Sequence, residues 1–172
     1  MPNWCQNQLT VQDATPELRA YLECNGFSFA RMAPLPPQAD PNDESATVTQ
    51  QLAAWGTKWD LDEEESKSVA ENLLDSGVAY FATAWSPPLS AIEALSQKFS
   101  DDTFLLEYCE LGMMFAGTAE IDNGYCFDCP VTNSRKVMRI AREVFGHEDC
   151  DGAPASNRSR AVKTSTGTVP DV

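Results

Sequence analysis

The chain has 172 residues, 42% of them hydrophobic, and a formal net charge of −14, enough for one domain with a real core. No stretch approaches the roughly 20 apolar residues of a bilayer span. Met1-Pro2-Asn3-Trp4-Cys5-Gln6 also lacks the basic and apolar parts of a secretory signal, so a cytoplasmic place is expected.

Residues 6–12 alternate Leu9 and Val11 with polar neighbours and read as a strand. Thr15 and Pro16 open a helix that Asn25-Gly26 ends, and Phe27, Phe29 and residues 31–33 read as a second strand. Residues 34–77 break the pattern with Pro34, Pro36, Pro37 and Pro41, and hold two helical pieces near 46–54 and 62–75. Asp62, Glu63, Glu64 and Glu65 complement the start of the second piece through the macrodipole. Residues 78–85 form a strongly apolar strand, and Ser86-Pro87-Pro88 starts a helix with Ile92, Leu95 and Phe99 on one face. Strands follow at 104–110 and 113–121, and Asn123-Gly124 turns the chain into residues 125–127. Val137, Ile140, Ala141 and Val144 mark an amphipathic helix over 134–145.

This order predicts an α+β fold, a ferredoxin-like split βαβ sandwich. It places an insertion (34–77) between the second and third strands, and a C-terminal hairpin plus helix (122–150) after the fourth. Residues 1–150 make the single domain, and 151–172, without periodicity, read as a flexible tail.

Three motifs carry a resemblance: Met1 to Asn7 leading into Leu9-Thr10-Val11, Trp55-Gly56-Thr57-Lys58-Trp59-Asp60, and Thr83-Ala84-Trp85-Ser86-Pro87-Pro88. With Tyr108 to Gly112 and Phe115-Ala116-Gly117, they resemble the YubB-type family of phage and plasmid proteins over roughly residues 1–121. The resemblance implies the ferredoxin-like domain and a mobile-element origin, and no enzyme activity.

Three clusters are candidates for function. Trp4, Trp55, Lys58, Trp59, Asp60 and Glu110, with the acidic run Asp62, Glu63, Glu64 and Glu65, offer aromatic faces beside a cation and carboxylates for binding. If the two central strands run parallel, Trp4, Lys58, Trp59, Asp60 and Glu110 gather at one end of the sheet. Trp85 then lies at the other end, roughly 20 Å away. The second cluster is Cys126, Cys129, His147 and Cys150, thiols and an imidazole that suit zinc, although the spacing matches no diagnostic finger. No other cofactor is implied, and without an export signal the six cysteines are expected reduced. The third is the stripe Arg135, Arg139 and Arg142 with Lys136, continued by Arg158, Arg160 and Lys163.

Residues 1–130 hold 21 acidic and 5 basic residues, while 131–172 hold 5 and 7. An acidic body repels phosphates, which disfavours ordinary nucleic-acid binding and favours a host protein with a basic surface as partner. The only histidine is His147, and no Ser or Cys nucleophile sits beside a visible base, so catalysis has little support. The expected function is therefore an acidic binding protein of a mobile element, a nucleic-acid mimic that inhibits a host defence protein. One alternative is a small nucleic-acid accessory protein using the basic C-terminal helix. It needs exposed aromatics on the open sheet face, where the strands read as apolar. The other alternative is an enzyme on an unidentified small ligand.

Overall fold

The computed structural model describes residues 3–37 and 43–147. Cys150 and the expected tail over 151–172 lie outside the described residues. Strand β1 (Trp4–Val11) sends Cys5, Asn7, Leu9 and Val11 inward and leaves Trp4, Gln6, Gln8 and Thr10 on the other face. Helix α1 (Pro16–Asn25) starts where Thr15 Oγ1 accepts from the Leu18 amide at 3.3 Å. The same hydroxyl donates to Asp102 at 2.6 Å, which fixes the helix start to the turn before the third strand.

The expected second strand does not form. Residues Phe29–Met32 make a helical turn, α2, instead. The cause lies far along the chain. The Asp60 carboxylate accepts from Ser28 Oγ at 2.8 Å, from the Phe29 amide at 2.7 Å and from the Ala30 amide at 3.0 Å. The two amides are donors that a helix start leaves without partners. Phe27 and Phe29 are buried as a strand pattern would have them, but they meet edge-on with ring centres 6.0 Å apart.

Helices α3 (Glu44–Trp55) and α4 (Glu63–Ser76) fill the insertion, capped by the side chains of Asp43 and Asp62. Strand β2 (Val78–Ala84), helix α5 (Leu89–Lys98), strands β3 (Thr103–Glu110), β4 (Phe115–Asp122) and β5 (Tyr125–Val131), and helix α6 (Ser134–Glu143) complete the described chain. The sheet order is β2-β1-β3-β4-β5, and every neighbouring pair is antiparallel. Strands β2 and β3, joined by α5, run the same way with β1 between them, which is the split βαβ unit of a ferredoxin-like α+β fold. The central strands are antiparallel rather than parallel, and the last two strands widen the sheet beyond β3.

The main core lies between one sheet face and the helices, with Leu9, Leu18, Phe27, Phe29, Ile92, Leu95, Phe104 and Leu106 fully buried. Each such side chain contributes about 2 kcal/mol by leaving water. On the other face α6 sets Val137 and Ala141 against Cys109 and Ala116, which lie in the row Gln6, Cys109, Ala116 and Val131, with Leu111 and Met114 packed beside them. The next row reads Tyr80, Gln8, Glu107, Thr118 and Cys129, and the one after it Val78, Thr10, Leu105, Glu120 and Phe127. Tyr80, Leu105, Glu120 and Phe127 of these rows are exposed, so this face carries solvent-facing aromatics that the sequence reading did not foresee. Among the described residues, no helix is long and apolar enough to cross a membrane.

Candidate functional site

Because β1 and β2 are antiparallel, the start of β1 lies beside the end of β2, with Trp4 opposite Ala84. Trp85 therefore joins Trp4 rather than standing at the far end of the sheet. Its amide donates to the Asn3 carbonyl at 2.9 Å, and its φ of 74° is uncommon for a bulky residue.

The loop after α3 is fastened to this corner. Thr57 Oγ1 donates to the Ala84 carbonyl at 2.8 Å and Ser86 Oγ to the Gly56 carbonyl at 2.5 Å. Gly56 has φ 84°, and a Cβ there would stand 2.9 Å from the Pro87 carbonyl oxygen, so the approach needs glycine. The loop then presents Lys58 and Trp59. Lys58 Nζ lies 4.8 Å from the Trp59 ring centre and 4.4 Å from that of Trp85, and Trp4 and Trp59 are 6.2 Å apart. The ammonium is thus held by two indole faces through cation–π attraction. Trp4 is 52% exposed and Trp59 and Trp85 are each 42% exposed, so the cluster is open to a partner.

The other predicted binding residues have different places. Trp55 is buried in the core, and its Nε1 donates to the Ala33 carbonyl at 2.8 Å. Asp60 caps α2 and also accepts from the Leu61 amide at 2.9 Å. Glu110 lies at the tryptophan end but is buried, and its carboxylate closes the β3–β4 turn by accepting from the amides of Gly112 (2.7 Å) and Met113 (2.5 Å). Asp62 accepts from the Glu65 amide at 2.8 Å as the cap of α4. Glu63 and Glu64 are exposed in the first turn, and burial pushes the half-buried Glu65 carboxyl upward. Glu63 also lines a groove of about 530 Å³ between α1 and α4, beside Arg31 and Lys67.

Cys126 and Cys129 are three residues apart on a strand and so point to opposite faces. Cys126 packs against the main core and Cys129 is exposed. His147 Nε2 bonds Gln6 Oε1 at 2.5 Å on the face away from Cys126. Among the described residues no group of three or more His, Cys, Asp and Glu side chains stands ready for a metal ion. On α6, Arg139 pairs with Glu143 at 3.9 Å and Arg142 Nε donates to the Met138 carbonyl at 3.4 Å.

The thiols supply a pH test. Burial, reinforced by the Glu110 carboxylate, pushes the Cys109 thiol from 9.0 up to about 11. Burial, with Glu93 and Asp128 adding, does the same for Cys126. A pKa raised on folding means that the folded state holds its proton where the unfolded chain releases it. The stability these protonated thiols contribute is present below pH 9.0 and is lost as pH rises through about 11. The urea midpoint should fall across that window, and replacing both cysteines by alanine should flatten the fall.

A family model described as the ferredoxin-like domain in Api92-like protein matches residues 54–142, just over half of the chain. The match begins at the end of α3, takes in the Lys58–Trp59 loop and the split βαβ connection, and reaches α6. No curated protein and no solved structure matches the chain. With its β2–α5–β3 crossover split by β1, the chain belongs to the family of the ferredoxin-like domain in Api92-like protein.

Proposed function

We propose that the protein is a non-enzymatic acidic binding protein of a mobile element, a phage or plasmid product of the YubB type. It acts by occupying a basic groove of a host defence protein in place of nucleic acid. The observation that supports this reading is the exposed trio Trp4, Trp59 and Trp85, with Lys58 over the rings of Trp59 and Trp85 and Trp4 beside Trp59, a few residues before the acidic start of α4. Exposed aromatics supply the desolvating anchors of an interface, and the carboxylates supply attraction for a basic partner.

The test is capture of a partner from nuclease-treated host lysate at low and high salt. A stoichiometric protein lost at high salt is expected; tight capture indifferent to salt would remove the mimicry. Trp59→Ala should weaken capture about tenfold or more while changing stability by less than about 1 kcal/mol. Replacing Asp62 by Asn and Glu63, Glu64 and Glu65 by Gln keeps a helix cap while removing the charge. Unchanged capture by that variant would exonerate the acidic edge.

A further inference from the structure

We infer that the uncovered part of the sheet face is a docking surface for an extended arginine- or lysine-bearing segment of a partner protein. The segment would seat on Tyr80, Leu105 and Phe127 and pair with Glu107 and Glu120. This rests on the reading of the chain as a binder of a basic partner and gives that partner a second contact, away from the tryptophan end.

Three observations carry it. Helix α6 packs on Cys109 and Ala116 and leaves the next two rows open, so Phe127 is 73% exposed and Tyr80 58% exposed. The two uncovered rows hold Glu107 and Glu120 and no lysine or arginine. Within the face, Gln8 Nε2 donates to Glu107 at 3.0 Å, and burial still pushes the Glu107 carboxyl upward, so its charge is incompletely compensated.

The spacing fits the same ligand. Glu107 stands opposite Thr118, two residues from Glu120 on the neighbouring strand, a diagonal of about 7 Å. Alternate side chains of an extended peptide repeat every ~6.6 Å. A guanidinium can pair with each carboxylate and lie flat on a neighbouring ring. Nucleic acid meets the same rings, but its phosphates meet the two carboxylates as like charges.

The probe is a fluorescein-labelled peptide alternating arginine and serine, titrated against the full chain by anisotropy. Glu107→Gln with Glu120→Gln, and separately Tyr80→Ala with Phe127→Ala, should each weaken binding about tenfold. Glu17→Gln, Glu23→Gln and Glu44→Gln, exposed acids on α1 and α3, together remove more charge elsewhere and should weaken it about twofold at most. Equal losses in the face and control variants would reduce the binding to general charge attraction and overturn the assignment. No loss in the Tyr80/Phe127 variant would overturn it too. A labelled single-stranded oligonucleotide that displaces the peptide and is itself lost in the Tyr80/Phe127 variant would hand the face to nucleic acid. Salt-sensitive capture of a host protein by wild type and face variants alike would remove this surface while leaving the proposed function standing.

Discussion

Gly117→Ala should destabilise the protein by about 3 kcal/mol, the largest loss expected from adding one methyl group anywhere on the sheet. Gly117 on β4 stands opposite Tyr108 on β3, and the tyrosine side chain crosses directly over it. A Cβ at Gly117 would overlap the Tyr108 ring and hydroxyl. The ring has little freedom to withdraw. Its hydroxyl donates to Asp128 at 2.8 Å on β5, and its ring packs edge-to-face with Phe115, ring centres 6.2 Å apart. The urea midpoint should drop with little change in slope. Tyr108→Phe alone should cost about 1–2 kcal/mol by leaving Asp128 without that donor. Combined with Gly117→Ala, it should cost less than the sum by at least about 0.5 kcal/mol, because the hydroxyl is part of the clash. Strict additivity would mean that Tyr108 does not pack over Gly117 in solution.

The second large effect is expected at Asp60. Its carboxylate accepts from Ser28 Oγ and from the amides of Phe29, Ala30 and Leu61. Asp60→Ala should cost about 2–3 kcal/mol, more than an ordinary cap because a charged acceptor serves several donors. Asp60→Asn keeps one oxygen and should lose about half as much. Ser28→Ala should lose about 1 kcal/mol. Partner affinity of the folded Asp60→Asn fraction should stay unchanged, since the carboxylate faces α2 rather than the open tryptophan cluster. A lost affinity at unchanged stability would return Asp60 to the binding residues.

Asp60 also shows what the sequence could and could not reveal. The helix starts at Thr15-Pro16 and Asp62, the apolar strand over 78–84 and the Asn123-Gly124 turn are written in neighbouring residues, and the structure has all of them. Phe27 and Phe29 alternate like a strand, and nothing nearby contradicts that pattern. The cap that makes α2 arrives from Asp60, on the far side of α3. Trp85 was misplaced for a related reason. Its position depends on strand direction, a property of the whole sheet that no local spacing encodes. Lys58 and Trp59 were legible as a motif, but their union with Trp85 needed the antiparallel pairing of Trp4 with Ala84. Glu110 could be read as an acid near the tryptophan end, yet its two hydrogen bonds to the following turn were visible only in three dimensions. The exposed ring of Phe127 was hidden similarly, because only the reach of α6 decides which rows of the sheet stay uncovered.

The position of β1 has a consequence for how the protein is made. Of the five strands of this sheet β1 comes first along the chain, yet it lies between β2 and β3, with Trp4 paired to Ala84 and Gln6 to Cys109. A nascent chain on the ribosome thus carries this interior strand with both edges open until β2 and β3 have emerged. Such pairings give a high contact order, and folding to the native sheet should be correspondingly slow. Until then Leu9 and Val11 have no sheet to join, which makes the newborn chain the form most exposed to aggregation and to holding chaperones.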